Sequence, residues 1–145
     1  MNWKEEAKAK LRKYNAMRLA TINIPLDIER LKIDAQSIRS SRTDAVPVEG
    51  GGSKHEEAML NNIMERQELE RSLKQARMWV QNVDSALCAL SKEDKLILHR
   101  LFISPEPRSM ERLCSELNVE QSTAYRRRDS ALYKFTIAMY GAIDS

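Results

Sequence analysis

Cysteine is nearly absent from this chain. Only Cys88 and Cys114 occur among its 145 residues. They are too few and too far apart for a disulfide framework or a thiolate metal site, and their apolar helical neighbours point to reduced core residues. Glycine and proline are scarce as well, four of each, and aromatics are 6%, which leaves little from which to build a sheet. No apolar run approaches the length of a membrane span, and the charged opening around Trp3 has no signal-peptide core. A cytoplasmic protein without membrane contact is expected. The two histidines, His55 and His99, stand in no metal-ligand or triad spacing, and the acids follow helix surfaces instead of converging on a pocket. No enzyme activity, metal or cofactor is therefore expected.

Leu, Ala, Glu, Lys, Arg and Met dominate instead, an inventory that predicts an all-α protein. The net charge of +3 is compatible with nucleic acid without pointing to it. Charge placement says more than the total. Lys4, Lys8, Lys10, Arg12, Lys13 and Arg18 outnumber Glu5 and Glu6 at the amino end. A solvated helix face is the simple reading of that stretch, and a DNA or partner contact is the alternative.

Two long amphipathic stripes follow. Trp3, Ala7, Lys10, Tyr14, Met17, Thr21, Ile24, Ile28, Leu31, Ala35 and Ile38 recur by alternating steps of four and three, the spacing of a coiled-coil seam. Pro25 should kink or divide this helix near Asn23 and Ile24. Residues from about 40 to 53 lose the pattern and end in Gly50-Gly51-Gly52, which reads as a flexible connection. Ser53 then caps a second helix, with Glu56 completing a capping box. Its seam is Leu69, Leu73, Ala76, Val80, Val83, Leu87 and Leu90, with Leu60 and Ile63 extending the apolar face upstream. Two such helices joined by a flexible loop predict a long antiparallel hairpin over residues 1–89. Leu11, Ile22, Leu26 and Ile33 would remain on its outer flank, so self-association, most simply as a dimer, is expected.

The remainder, residues 90–141, reads as a second domain. Ser91 can cap a short helix with Glu93 and Asp94 in its first turn, and Leu96, Ile97, Leu101, Phe102 and Ile103 supply its apolar face. Pro105 and Pro107 enforce a loop, after which Ser109 caps a helix that buries Met110, Leu113, Cys114 and Leu117. Leu117-Asn118-Val119 places a residue tolerant of left-handed backbone angles between two apolar anchors, the makings of a tight turn. A last helix, about 121–140, turns Ala124, Ala131, Leu132, Phe135 and Met139 inward and exposes Gln121, Ser122, Tyr125, Arg126 and Asp129. Short helix, turn and exposed helix make a helix-turn-helix.

The frame Leu90-Ser91-Lys92-Glu93, Leu96-Ile97-Leu98 to Phe102, Ser109 to Leu113, Glu116 to Val119 and Ser130 to Phe135 resembles the helix-turn-helix of bacterial sigma factors, region 4. The whole chain is similar to small phage and prophage proteins related to the RinA and ArpU late-gene regulators. That resemblance implies a promoter-binding transcription regulator in a bacterial host cell, with double-stranded DNA as partner and RNA polymerase as a candidate further partner. It places the DNA-reading positions on Gln121, Ser122, Tyr125 and Arg126, and Arg128 adds a further basic DNA-binding candidate. Arg126 suits the two acceptors of guanine and Gln121 those of adenine. Arg127 falls where sigma-like helices carry an apolar residue, so it should snorkel, pair with an acid such as Glu111 or Glu116, or reach a phosphate. Two alternatives remain open: a protein-interaction module that binds RNA polymerase or another regulator, and a small terminase-like packaging protein.

Overall fold

The computed structural model describes residues 2–44 and 51–142, and side chains within 2–40 and 54–142. Among these residues the protein is all-α, without a strand: α1 (Trp3–Asp44), α2 (Gly51–Cys88), α3 (Lys92–Leu98), a π-helical turn (His99–Ile103), α4 (Ser109–Leu117) and α5 (Gln121–Tyr140). Asn2 opens α1 by accepting the Lys4 amide on its side chain at 2.9 Å and the Glu6 amide on its carbonyl at 3.1 Å. The helix continues through Pro25 without a break. The connection expected over about 40–53 falls partly on residues 45–50, outside the described residues. α2 already begins at Gly51, two residues ahead of Ser53, and the side chain of Ser53, the cap expected there, lies outside the described side chains.

The chain divides into two compact units, Leu19–Arg77 and Met1–Arg18 with Met78–Ser145. This differs from a division at residues 89 and 90. The first eighteen residues and the end of α2 group with the carboxy-terminal helices.

Within Leu19–Arg77, α1 and α2 lie side by side. Asn62 Nδ2 donates to the Leu31 carbonyl at 2.8 Å, and Leu31 and Asn62 stand at similar distances along the chain from the connection, which makes the pair antiparallel. Thr21, Ile24, Ile28, Leu31, Ala35 and Ile38 are buried or half-buried along α1, as the seam requires. The α2 seam departs from expectation upstream of Leu69: Leu60 and Ile63 are exposed, while Arg66, Asn62, Met59 and His55 carry it on. The four-and-three frame, not apolarity, decides which residues face the partner helix.

The other unit has one core. Leu11, Val83, Ile97, Leu98, Leu113, Leu132 and Phe135 are its largest fully buried side chains, joined by Ala7, Ala86, Leu90, Phe102, Ile103 and Ala131. Leu11 was expected on an outer flank of a free hairpin and is instead wholly enclosed, because the carboxy-terminal helices cover that side of α1. Cys88, expected in the core, is exposed, and Cys114 is half-buried.

Ser91 caps α3 as expected, accepting the Asp94 amide at 3.1 Å. The π-helical turn that follows closes with the Ser104 amide on the His99 carbonyl at 2.9 Å. Pro105 cannot continue a helix, and Asn15 of α1 satisfies the freed end by donating to the Ile103 carbonyl at 2.9 Å and to the Ser104 hydroxyl at 3.0 Å. Ser109 does not cap α4 forward. Its hydroxyl donates back to the Glu106 carbonyl and accepts the Glu106 amide at 2.7 Å, tightening the proline loop, while Arg108 holds the cap position at φ 62°.

Tyr14 ties α1 to α2 by donating its hydroxyl to Asp84 Oδ1. Burial, then the hydrogen bond to Asp84 and the charge of that carboxylate, raise the Tyr14 pKa above its ordinary 10.0, against a smaller opposing effect of Arg18. A raised folded pKa gives stability that is full below the unfolded value and is lost as pH rises through the folded one. The melting temperature should therefore fall more steeply above pH ~10 in the wild-type chain than in Tyr14→Phe. Parallel melting curves for the two chains across that range would remove the assignment.

Candidate nucleic-acid interface

The turn between α4 and α5 is built as its sequence predicts. Asn118 adopts φ 54° and ψ 51°, the left-handed region that asparagine tolerates better than most residues. The Asn118 amide bonds the Ser115 carbonyl at 3.3 Å and the Val119 amide reaches back to the Cys114 carbonyl at 3.1 Å. This pair of bonds is a Schellman motif, which satisfies the last carbonyls of α4 while redirecting the chain. Two residues later α5 begins, with Glu120 extended at its cap and making no side-chain capping bond.

Leu113 of α4 and Ala124, Ala131, Leu132 and Phe135 of α5 are buried, and Met110, Cys114, Leu117 and Met139 are half-buried beside them. Burying that side fixes what α5 turns outward. Gln121, Ser122, Tyr125 and Arg126 are all exposed and, at i, i+1, i+4 and i+5, share one helix face. Among the described residues, Gln121, Ser122 and Arg126 make no side-chain hydrogen bond or ion pair. Their donors and acceptors are free for a ligand.

Arg128 is placed differently from these four. Its guanidinium stacks over the Tyr125 ring, 4.8 Å from the centroid, and donates to Asp129 Oδ1 from Nε at 3.1 Å and from a terminal nitrogen at 2.9 Å. It is a tethered cation at the edge of the face. Asp129 also meets the Lys4 ammonium at 3.4 Å. Burial alone would raise the Asp129 pKa, but the hydrogen bond and charge of Arg128, together with Lys4, outweigh it and hold the carboxyl below 3.8. Lys4 was legible only as part of a basic amino end, because its approach to α5 is tertiary.

Arg127 pairs with neither Glu111 nor Glu116. It points away from the exposed face and forms an ion pair with Glu93 in the first turn of α3. One residue along, Lys134 bonds the buried Asp94 of α3 at 3.2 Å. The acids that favour the start of α3 thus also dock α5. Glu116 is taken by Arg100 at 3.2 Å, and Glu106 by Arg112. These two pairs line a polar cavity of about 250 Å³ between the π-helical turn and α4, in which each arginine already has a carboxylate.

Among the described residues no group of His, Cys, Asp and Glu could hold a metal ion, and no helix is long and apolar enough to cross a membrane. Comparison of the chain with protein-family models, with curated proteins and with solved structures gives no match.

Proposed function

We propose that this protein is a DNA-binding transcription regulator of the phage or prophage type that reads promoter DNA with α5, in the manner of sigma region 4. The carrying observation is the group Gln121, Ser122, Tyr125 and Arg126. They stand on the first turns of a helix whose buried side is fixed by packing, they follow a tight left-handed turn, and three of them have unused hydrogen-bonding capacity. An α-helix fits the major groove, and side chains at its amino end meet base edges there. Arg126 would address the paired acceptors of a guanine, Gln121 an adenine, and Ser122 a phosphate or base, while Tyr125 offers a phosphate hydrogen bond or an apolar contact to a thymine methyl.

In this reading the Leu19–Arg77 unit supplies self-association. Leu19, Ile22, Leu26 and Ile33 on α1, with Leu60, Ile63 and Met64 on α2, are exposed. The α1 residues recur near helical spacing, which makes a stripe that a second copy can cover by two-fold symmetry. A paired reader also doubles its contacts with DNA, which suits a reading helix on which Arg127, Arg128 and Lys134 are already paired with acids. The partner expected on this surface is a second copy of the chain.

The experiment is selection of bound sites from a random duplex pool, followed by binding of the Arg126→Ala chain. A preferred sequence should emerge, and Arg126→Ala should lose about 1–3 kcal/mol of discrimination at one base position. Equal binding of every duplex, unchanged by the substitution, would remove the sequence-reading function.

A further inference from the structure

Two cations surround one acid where the amino end of α1 meets the middle of α5. Asp129 holds the Arg128 guanidinium on one oxygen at 2.9 Å and the Lys4 ammonium on the other at 3.4 Å. The approach of α1 is fixed next door, where the Trp3 ring meets Tyr133 edge-on with centroids 6.1 Å apart. Lys4 and Asp129 both keep side-chain exposures of 37%, so the cluster is neither sealed nor free.

Its position on α5 matters most. Asp129 follows Tyr125 by four residues and Ser122 by seven, and so continues the same exposed face toward the carboxy end. When the first turns of a helix reach base edges, residues two turns later come toward the groove wall, where the phosphates run. A lone carboxylate there would repel the backbone. Flanked by Lys4 and Arg128, it instead sits in a cluster with an excess of positive charge.

We infer that Lys4 and Arg128 grip a backbone phosphate beside the reading helix, so that α1 contributes a second contact to the same duplex. This rests on the DNA-reading role proposed for α5. Asp129 occupies the place of that phosphate in the free protein and keeps both cations oriented. The phosphate adds affinity and register without sequence information.

The test uses the full-length chain and two probes, a duplex selected from the random pool and a duplex of random sequence. Lys4→Ala should weaken both complexes by the same factor, about three- to tenfold at low salt, and flatten the dependence of log affinity on log salt by about 0.9. Lys4→Arg should restore both the affinity and the slope. A Lys4→Ala chain that melts lower but binds with the wild-type salt slope would make Lys4 a structural tie and overturn the inference. If Arg126→Ala weakens binding and Lys4→Ala does not, the inference falls and the reading helix stands. If the wild-type chain binds neither duplex, both fall together.

Discussion

Leu11→Ala should destabilise the carboxy-terminal unit by about 2–5 kcal/mol, although the residue lies far in sequence from the helix-turn-helix. Leu11 is wholly enclosed in the cluster that includes Leu98, Leu113, Leu132 and Phe135. Truncating it removes apolar atoms from contact on several sides, and a core shared by short helices has little freedom to collapse around the void. Met78→Ala is the matched control: Met78 is 56% exposed, and its truncation should change stability by less than about 0.5 kcal/mol. Thermal and denaturant unfolding followed by circular dichroism would measure both. The same reasoning applies to an isolated 90–141 segment, which loses Ala7, Leu11, Val83 and Ala86 from its core and should not unfold cooperatively. If that segment melts like the full chain, or if Leu11→Ala melts with Met78→Ala, the helix-turn-helix has its own core and α1 merely rests on it.

Leu11 also shows where sequence reading stops. The stripe from Trp3 to Ile38 was legible because a helix repeats its face every three or four residues, and every member of it is at least half-buried. Leu11 lies on the next strip of the same helix, identical in pattern to Ile22, Leu26 and Ile33. Those three stay exposed and Leu11 does not. Periodicity marks a strip as apolar, but it cannot say which distant element covers it.

The turn at Asn118 and the outward face of α5 were legible for the opposite reason, since both are set by neighbours within a few residues. Arg127 shows the limit again. Its partner Glu93 belongs to α3, and only the packing of α3 on α5 selects it over Glu111 and Glu116. The π-helical turn is similar, because Asn15, distant in sequence, satisfies the chain end that Pro105 leaves open. The local turn at Asn118 and the cap at Ser91 were readable, whereas the cap assigned to Ser109 and the tertiary choice of partner were not.

Asn62→Leu should raise the melting temperature of the Leu19–Arg77 unit, by about 1–4 kcal/mol of stability, and at the same time blur its association state. Asn62 is 6% exposed, on the upstream stretch of the α2 seam that it shares with Arg66, Met59 and His55. It donates to the Leu31 carbonyl at 2.8 Å and accepts from Arg66 Nε at 2.9 Å. Those bonds replace bonds to water, so their net stabilisation is small, whereas a leucine in the same buried place beside Leu31 would add apolar burial. What the asparagine supplies is a preference of register: any slide that takes its amide away from an accepting carbonyl leaves it buried without a partner, at a cost of about 1–3 kcal/mol. A leucine carries no such penalty, and the stripe of Leu19, Ile22, Leu26 and Ile33 would then find several ways to pair with another copy. Sedimentation and native mass measurement should give one dimeric species for the wild-type chain and a mixture for Asn62→Leu. A variant that melts lower, with one unchanged mass, would instead make Asn62 a source of stability, and the choice of register would have to come from the apolar seam itself.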